Sequence, residues 1–491
     1  MTIRFEKLIS SLKAASNLQF LTWLTGFCSL CFFLLIRFPE IFYWDDFSYL
    51  MDIYSIRPSI FLLGRPGFTL LFGSIWSFAY KFGLDFSIFE KFIQIFNVTA
   101  LSLVYVFILK MLVMFRVKPM AAFITILLLL SELGISAFSF RIIDSQLMYL
   151  AVVLSYFYFI KAHEASSLKL LRVSALWGVY AFLVREPGAF FWFFYIVLYF
   201  VFKKQKKHFV NKSYYEFAAV LISLSLLGPL TLYLVYGDQY VDIFMRSFTS
   251  TNYLAPIGAI NIIKEVLAYQ FNAVTLPISL LGLYCAIKKY GSQWVAVFLT
   301  VCLFPIIITA SILELEALRE ARFYLGLFLI FAFCQTLALE FLYKKLIHLK
   351  NIAVLCTAAI FIFTAYFTFV RYLPNFKLEK ANAISKSKYY EELKPLLKDD
   401  VVIILGAETQ IVKYRSHVDG LTIRAINPGI SWPTDFLITE ILLHLSAGRK
   451  VIYDPRSKNY LKETREADLK KMENFFKLEP IEKGFVKVVC K

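Results

Sequence analysis

The segment "RFPEIFYWDDFSYL" (residues 37–50) directly follows an apolar run at residues 18–36. An α-helix needs about 20 apolar residues to cross the hydrocarbon core of a bilayer, and this run is long enough. Asp45 and Asp46 therefore stand just beyond a predicted membrane span, among aromatic residues. A single acid in an interfacial aromatic belt is common, but an adjacent pair is less so, which makes the pair a candidate for function.

The rest of the chain repeats the apolar pattern. Of its 491 residues, 59% are hydrophobic and only 18% are charged, a composition typical of multi-span helical membrane proteins. We predict spans at residues 18–36, 88–112, 119–136, 145–162, 171–186, 187–202, 214–236, 263–287, 293–313, 323–343 and 351–370. Residues 65–83 are interrupted by glycines and a lysine, and are predicted to form a juxtamembrane or re-entrant helix.

The basic residues indicate a topology rather than a nucleic-acid partner. The net charge is +17, but Lys and Arg cluster in alternate short loops, as in "KKQKK" (residues 203–207). By the positive-inside rule these loops are cytoplasmic. The N-terminus is then cytoplasmic, residues 37–87 form an outer loop, and the C-terminus lies outside.

The composition changes at about residue 375. "VVIIL" (401–405), "KVIYD" (450–454) and "FVKVV" (485–489) are typical of buried strands, and helical patterns occur between them at 435–448 and 459–476. The pattern predicts an α/β domain with a largely parallel sheet. The fold class is thus an all-α polytopic membrane domain (1–374) with about 11 spans, followed by an extracytoplasmic α/β domain (375–491) that docks or covers without catalysis of its own.

Asp45 and Asp46 suit two kinds of chemistry. Because like charges resist joint ionisation, one member of such a pair can act as a general base. The pair also offers oxygen ligands for a hard divalent cation such as Mg or Mn. The alternative is an aromatic belt with incidental acids.

A second acid and its neighbouring cation are predicted on the same side of the membrane. In "SFRIIDSQLMY" (139–149), Arg141 and Asp144 stand three residues apart. They either pair along one helical turn, or Asp144 faces the same cavity as Asp45 and Asp46.

Two further charged groups fall at outer span ends. In "LVREPGAFF", Arg185 and Glu186 precede a proline and a glycine that break the helix. Arg185 either serves the site or only reaches for the interface. In "ILELEALREARFYLGLFLIF", Arg319 and Arg322 lie one turn apart, where they either bind a phosphate or form a salt-bridged turn.

Neither cysteine nor histidine predicts a metal site. The Cys28-x-x-Cys31 spacing lies in a predicted span and lacks partner ligands, and the five histidines form no spacing motif.

The order of these motifs resembles the GT-C superfamily of membrane glycosyltransferases, which take sugars from polyprenyl-phosphate carriers. The resemblance rests on "WDD" after the first span, "GRPG" (64–67), the acid after "FR", the turn at "REPG" and the "REARFYLGLFLIF" entry into a late helix. It covers roughly residues 15–345. The "DD" and "GRP" opening is most similar to serotype-converting O-antigen glucosyltransferases.

The resemblance implies a function and site roles. The expected activity is transfer of a hexose, with glucose as the first candidate, from a polyprenyl-phosphate carrier such as undecaprenyl phosphate. The acceptor is a glycan or glycolipid, and the transfer inverts the anomeric configuration. The expected acceptor is lipid-linked O-antigen or lipopolysaccharide at the outer face of the bacterial inner membrane. Asp46 or Asp45 is the expected base, with a narrow preference for Asp46. Asp144 would position acceptor or metal, and Arg319 and Arg322 would bind the carrier phosphate. Arg141, Arg185 and Glu186 are further substrate-binding candidates.

Two other functions stay open. A polysaccharide polymerase or ligase would use outer-loop Arg and His, but no predicted outer loop before the C-terminal domain contains His. A transporter of lipid-linked glycans would need polar residues at the bilayer midplane, where the predicted spans hold few ionisable groups.

Overall fold

A computed structural model gives the fold. It describes residues 2–35, 44–55, 66–115, 117–130, 144–185, 211–241, 274–292, 325–346, 384–398, 400–405, 408–426, 434–455 and 471–491, with single positions between 188 and 199 and between 359 and 381. For residues 44–46 the description covers the helical backbone and not the side chains.

The first part of the chain is helical. Its helices are α1 (Thr2–Leu35), α2 (Trp44–Ser55), α3 (Pro66–Tyr80), α4 (Phe86–Met114), α5 (Pro119–Leu130), α6 (Ser145–Ala165), α7 (Leu168–Val184), α8 (Asn211–Tyr236), α9 (Thr275–Tyr290) and α10 (Leu325–Leu346).

Within the described part of the chain, four helical segments are long and apolar enough to cross a membrane. They are Asn17–Leu34, Phe86–Met114, Ser145–Ala165 and Lys212–Tyr236. Each coincides with a predicted span. The predicted juxtamembrane segment contains α3, a helix of 15 residues that is too short to span. The predicted spans at 187–202, 293–313 and 351–370 lie wholly or largely outside the described residues, so the span count stays a prediction.

Helices α4, α6 and α7 form the centre of the bundle. Helix α6 packs against both α4 and α7, and α1 covers α4. A second group joins α9 to α10 and α10 to α5. The contact between α9 and α10 is very close, because a Cβ on Gly282 would clash with the carbonyl oxygen of Cys334.

The C-terminal part forms a mixed five-stranded sheet with the order β2-β1-β3-β5-β4. Its strands are β1 (Val402–Ile404), β2 (Arg424–Ile426), β3 (Val451–Tyr453), β4 (Phe476–Pro480) and β5 (Val486–Cys490). Helix α11 (Thr409–Val418) follows β1, and α12 (Thr434–Ser446) follows β2. The three predicted strands coincide with β1, β3 and β5.

The prediction of a largely parallel sheet is wrong. Strands β1, β2 and β3 are parallel, but β5 pairs antiparallel with both β3 and β4. The sequence does not predict β2 and β4. Both are edge strands of the sheet, so one edge of each is exposed to solvent and neither needs a continuous apolar run. Arg424 opens β2 and is exposed, and β4 has the mixed sequence "FKLEP".

The two helices of the sheet domain cover opposite faces. Ile403 and Ile452 share a buried core with α11, whereas Val402 and Val451 share another with α12. The first of these cores is continuous with the core of the helical bundle, and α11 contacts α2 directly. The sheet domain is therefore seated on the helix that carries Asp45 and Asp46.

Candidate active site

Helix α2 begins at Trp44 and contains the aspartate pair in its first turn. Carboxylates at this position interact favourably with the positive end of the helix dipole. Tyr49 follows Asp45 by four residues and Asp46 by three, and residues at these spacings are neighbours on a helix surface. The contacts of Tyr49 therefore show which way this side of α2 faces.

Tyr49 anchors α2 to the start of α6. Its hydroxyl donates a hydrogen bond of 2.6 Å to Oδ2 of Asp144, which directly precedes α6. Both side chains are completely buried. Asp144 stands at the N-cap position, but its side chain makes no capping bond to the helix and instead receives the Tyr49 hydroxyl.

Arg185 supplies the countercharge for Asp144. Its Nη1 lies 3.1 Å from Oδ1 of Asp144 and also donates a hydrogen bond of 2.5 Å to the hydroxyl of Ser145. The side chain of Arg185 is only 4% exposed. It therefore does not reach for the interface, and the described ion pair of Asp144 is with Arg185. The local pairing with Arg141 lies outside the described residues.

The turn after α7 explains how Arg185 comes to point inward. Helix α7 ends at Val184, and Arg185 is extended, with φ −160° and ψ 135°. The amide of Gly188 donates a hydrogen bond of 2.8 Å to the carbonyl of Arg185. A Cβ on Gly188 would lie 2.5 Å from the carbonyl oxygen of Ala181, so only glycine allows the chain to fold back this closely. The fold therefore explains why the "REPG" motif ends in a glycine.

The glycine of "GRPG" has a similar role on the neighbouring element. A Cβ on Gly67, at the start of α3, would lie 2.8 Å from the backbone of Leu183 and Val184. The hydroxyl of Tyr180 donates a hydrogen bond of 3.3 Å to the Gly67 carbonyl. Without a side chain at position 67, α3 packs against the end of α7 beside Arg185.

The resulting arrangement is a buried charged network under α2. Asp144 accepts hydrogen bonds from a phenol and a guanidinium, and its charge is compensated, so it is poorly suited to remove a proton from a substrate. The network is suited to holding the first turn of α2 in a fixed direction. A buried ion pair with extra hydrogen bonds is a rigid reference point for such a purpose.

The remaining predicted site residues have side chains that lie outside the described part of the structure. The side chains of Asp45 and Asp46 lie outside the described residues, as do Arg141 and Glu186. Arg319 and Arg322 do as well. Within the described part of the chain, no group of three His, Cys, Asp or Glu side chains is arranged to hold a metal ion.

Sequence reasoning missed two members of the network. Tyr49 was visible only as one of several aromatic neighbours of the pair, although its spacing of four residues from Asp45 is a helical signal. Ser145 is an ordinary first-turn residue of α6, and nothing in the sequence distinguishes it.

Comparison with known proteins identifies the fold. No family model matches the chain, and no curated protein matches it. Among 18 matching solved chains is ArnT from Cupriavidus metallidurans bound to undecaprenyl phosphate. That match has a TM-score of 0.58 and 10% identity, and covers 96% of this chain and 97% of ArnT.

Another matching structure is the S. cerevisiae protein O-mannosyltransferase Pmt1-Pmt2 complex bound to the sugar donor. It has a TM-score of 0.36 and 14% identity over 52% of this chain, which spans only 37% of that chain's length. A score this low does not establish a common fold. The match to ArnT does, and it extends from end to end. The chain therefore shares the fold of ArnT along its whole length.

Proposed function

We propose that this protein is a GT-C-type membrane glycosyltransferase that moves a sugar from a polyprenyl-phosphate carrier to a glycan acceptor. The observation that carries the proposal is the anchoring of the Asp45–Asp46 helix to the buried Asp144–Arg185 pair through Tyr49. The fold supports it, since ArnT matches along its whole length and was solved with undecaprenyl phosphate, a lipid of the required class.

The reaction needs one base and a cationic site for the leaving group. Asp46 or Asp45 removes the proton from an acceptor hydroxyl, and the oxygen attacks the anomeric carbon of the carrier-linked sugar. The bond between that carbon and the phosphate oxygen breaks, and the polyprenyl phosphate leaves with the electron pair. Because phosphate leaves readily, no second carboxylic acid is needed, in contrast to glycoside hydrolysis. In-line attack inverts the anomeric centre.

Each remaining candidate has a proposed role. The resemblance implies that Asp144 positions acceptor or metal and that Arg185 binds substrate. Because the two side chains are buried and paired with each other, we propose instead that they hold α2 in place. Arg319 and Arg322 bind the departing phosphate. Arg141 and Glu186 contact substrate. A divalent cation, Mg or Mn, is compatible with two carboxylates at the start of α2.

Asp45 and Asp46 are both candidates for the general base. Asp45 stands four residues before Tyr49 in α2 and Asp46 three residues before it, and both spacings are those of neighbours on a helix surface. We propose Asp46 as the base, with Asp45 as the alternative.

The proposed sugar, acceptor and cellular location follow from the resemblance of the sequence motifs to serotype-converting O-antigen glucosyltransferases. We propose glucose as the sugar and lipid-linked O-antigen or lipopolysaccharide as the acceptor. The reaction takes place at the outer face of a bacterial inner membrane, with the N-terminus cytoplasmic and the sheet domain periplasmic.

The experiment is a transfer assay with the full-length protein in lipid nanodiscs. A synthetic polyprenyl-phosphate-linked glucose is supplied with a lipid-linked glycan, and the product is analysed by mass spectrometry and NMR. The proposal predicts addition of one sugar with inverted anomeric configuration. Joining of diphosphate-linked glycans, without use of the monophosphate donor, would instead identify a polymerase or ligase. Movement of lipid-linked glycan across the bilayer without bond formation would identify a transporter.

A further inference from the structure

The first turns of α4 bury polar side chains and expose apolar ones. Glu90, Gln94 and Asn97 are at most 7% exposed, whereas Ile88 and Ile95 are at least 45% exposed. The three polar residues stand four and three positions apart, so they lie on one side of the helix, which we call the polar face of α4. In a helix long enough to cross a membrane, this distribution turns the apolar side to lipid and the polar face to the protein interior.

The polar face lies at the end of the bundle that carries α2. The ring of Tyr54, near the end of α2, meets the ring of Phe86 edge to face at 4.9 Å, and Phe86 is the first residue of α4. Five residues earlier in α2, Tyr49 donates its hydrogen bond to Asp144 at the start of α6. Helices α4 and α6 also pack directly against each other. Helix α2 therefore lies across the starts of both helices, and the polar face begins one turn beyond its contact with Phe86.

One acceptor on the polar face receives no hydrogen bond from the described part of the chain. It is Oε1 of Glu90, which is also shielded from solvent. Polar side chains that only join helices are bonded across the interface, as Thr125 of α5 and Thr336 of α10 are, with their hydroxyl oxygens 2.9 Å apart. A buried acceptor without a donor is destabilising, and more so when it is charged. The polar face of α4 is therefore suited to a ligand that brings its own donors.

The side chains of the polar face select the kind of ligand. A carboxylate accepts hydrogen bonds, and an amide both donates and accepts them. This combination matches the neighbouring hydroxyl groups of a sugar ring, each of which can donate and accept. A carboxylate repels an anionic phosphate, so the phosphate of a carrier lipid is not the group that this face would hold.

We propose that Glu90 and Gln94 bind hydroxyl groups of the sugar that the carrier delivers to α2. The inference rests on the proposed function and adds a means of telling the sugar-linked carrier from the bare carrier lipid. A site built to bond a substrate hydroxyl rejects an analogue without it, because the polar groups of the site are then left unpaired. Polyprenyl phosphate that has lost its sugar no longer fills the polar face, so the product is held less tightly than the donor.

The test measures binding rather than turnover, with the full-length protein in lipid nanodiscs. Its two probes are synthetic polyprenyl-phosphate-linked glucose and polyprenyl phosphate alone. The wild type should bind the sugar-linked probe more tightly. Glu90→Gln should weaken binding of that probe by about tenfold or more, because a charged acceptor is lost, and should leave binding of polyprenyl phosphate unchanged. A merely structural role for Glu90 would instead weaken the binding of both probes alike.

A set of deoxy probes, each lacking a different hydroxyl group of the glucose, tests the contact itself. The wild type should bind at least one of them as weakly as Glu90→Gln binds the complete probe. For that deoxy probe the substitution should cause no further loss, since the bond that it removes is already absent. Additive losses for every deoxy probe would show that Glu90 contacts none of these hydroxyl groups and would overturn the inference.

Controls make each outcome decisive. Glu164→Gln is the same substitution at an exposed position near the other end of α6, and it should change the binding of neither probe. If Glu90→Gln does not insert, Gln94→Met replaces the neighbouring amide by an apolar group of similar size and carries the same prediction. Equal weakening of both probes, or a wild type that does not distinguish them, would overturn the sugar site while transfer by the wild type still supported the proposed function. A wild type that binds neither probe and transfers no sugar would overturn both.

Discussion

The two packed faces of α2 are held by different kinds of interaction. On one face Tyr49 donates a short hydrogen bond to Asp144, whose charge is matched by Arg185. On the other face Phe47 and Tyr54 pack against rings of α11. Charge-assisted hydrogen bonds fix direction, whereas aromatic contacts mainly contribute buried area. The polar face should therefore be intolerant of small chemical changes, and the aromatic face should respond to volume.

The largest effect is expected from Arg185→Leu. It leaves Asp144 as an uncompensated buried charge, so we expect a loss of about 3–5 kcal/mol in the free energy of unfolding. Sugar transfer should be lost as well. Arg172→Leu is the matched control, because Arg172 faces Glu216 at 4.0 Å with 70% of its side chain exposed. Such an exposed pair contributes about 0–1 kcal/mol. Equal losses in the two variants, measured by unfolding in detergent, would contradict the importance of the polar face.

A smaller loss is expected from Tyr49→Phe. The substitution removes only the hydroxyl that bonds to Asp144, and hydrogen bonds to charged groups contribute about 1.5–3 kcal/mol. We expect that loss of stability together with a lower kcat, because α2 is no longer tied to α6. Tyr80→Phe, at a 65% exposed position, provides the comparison. The anchoring role fails if the two variants cannot be distinguished.

Phe47→Leu should cost less, about 1 kcal/mol, since an apolar side chain of smaller volume still fills much of the space against Tyr414. Sugar transfer should be reduced but not abolished, because the smaller side chain allows only a limited displacement of α2. The unfolding free energy tests the expected loss of stability, and kcat tests the expected reduction in transfer. A complete loss of transfer in a stable Phe47→Leu protein would mean that the aromatic face takes part directly, and the distinction between the faces would be lost.

The smallest effect concerns His444, which lies in α12 on the far side of the sheet from α2. Burial, together with the nearby cations Arg424 and Arg449, lowers the pKa of His444. The unfolded chain therefore binds this proton more readily than the folded one. Stability should fall as the pH drops below the ordinary value of 6.5.

The variant His444→Gln should lose part of that acid sensitivity while leaving sugar transfer at neutral pH unchanged. Thermal unfolding of both proteins on either side of the ordinary pKa checks this. An unaltered pH dependence in the variant would show that other groups account for the effect, and a loss of transfer would show that the far side of the sheet reaches α2.

The sequence predicts much of the outline, because long apolar runs and buried strands have strong local signals. Hydropathy predicts helices α4, α6 and α8, and short apolar runs predict β1 and β3. The turn at Arg185 followed from the proline and glycine after it. The edge strands β2 and β4 lacked an apolar run and were not predicted.

The site contacts could be predicted only where they are local. The spacing of three residues indicates Arg141 as a partner of Asp144. The described partners of Asp144 are instead Arg185, 41 positions away, and Tyr49, 95 positions away. Such contacts depend on how the helices pack, which spacing along the chain does not reveal.

The most direct test of the account is sugar transfer from a polyprenyl-phosphate donor by full-length Asp45→Asn and Asp46→Asn proteins, each compared with the wild type. If the first turn of α2 carries the base, at least one variant should lose about 10²–10⁴-fold in kcat, the usual contribution of general base catalysis. Both variants should still insert and unfold like the wild type. Full activity in both single variants would contradict the assignment of the chemistry to α2.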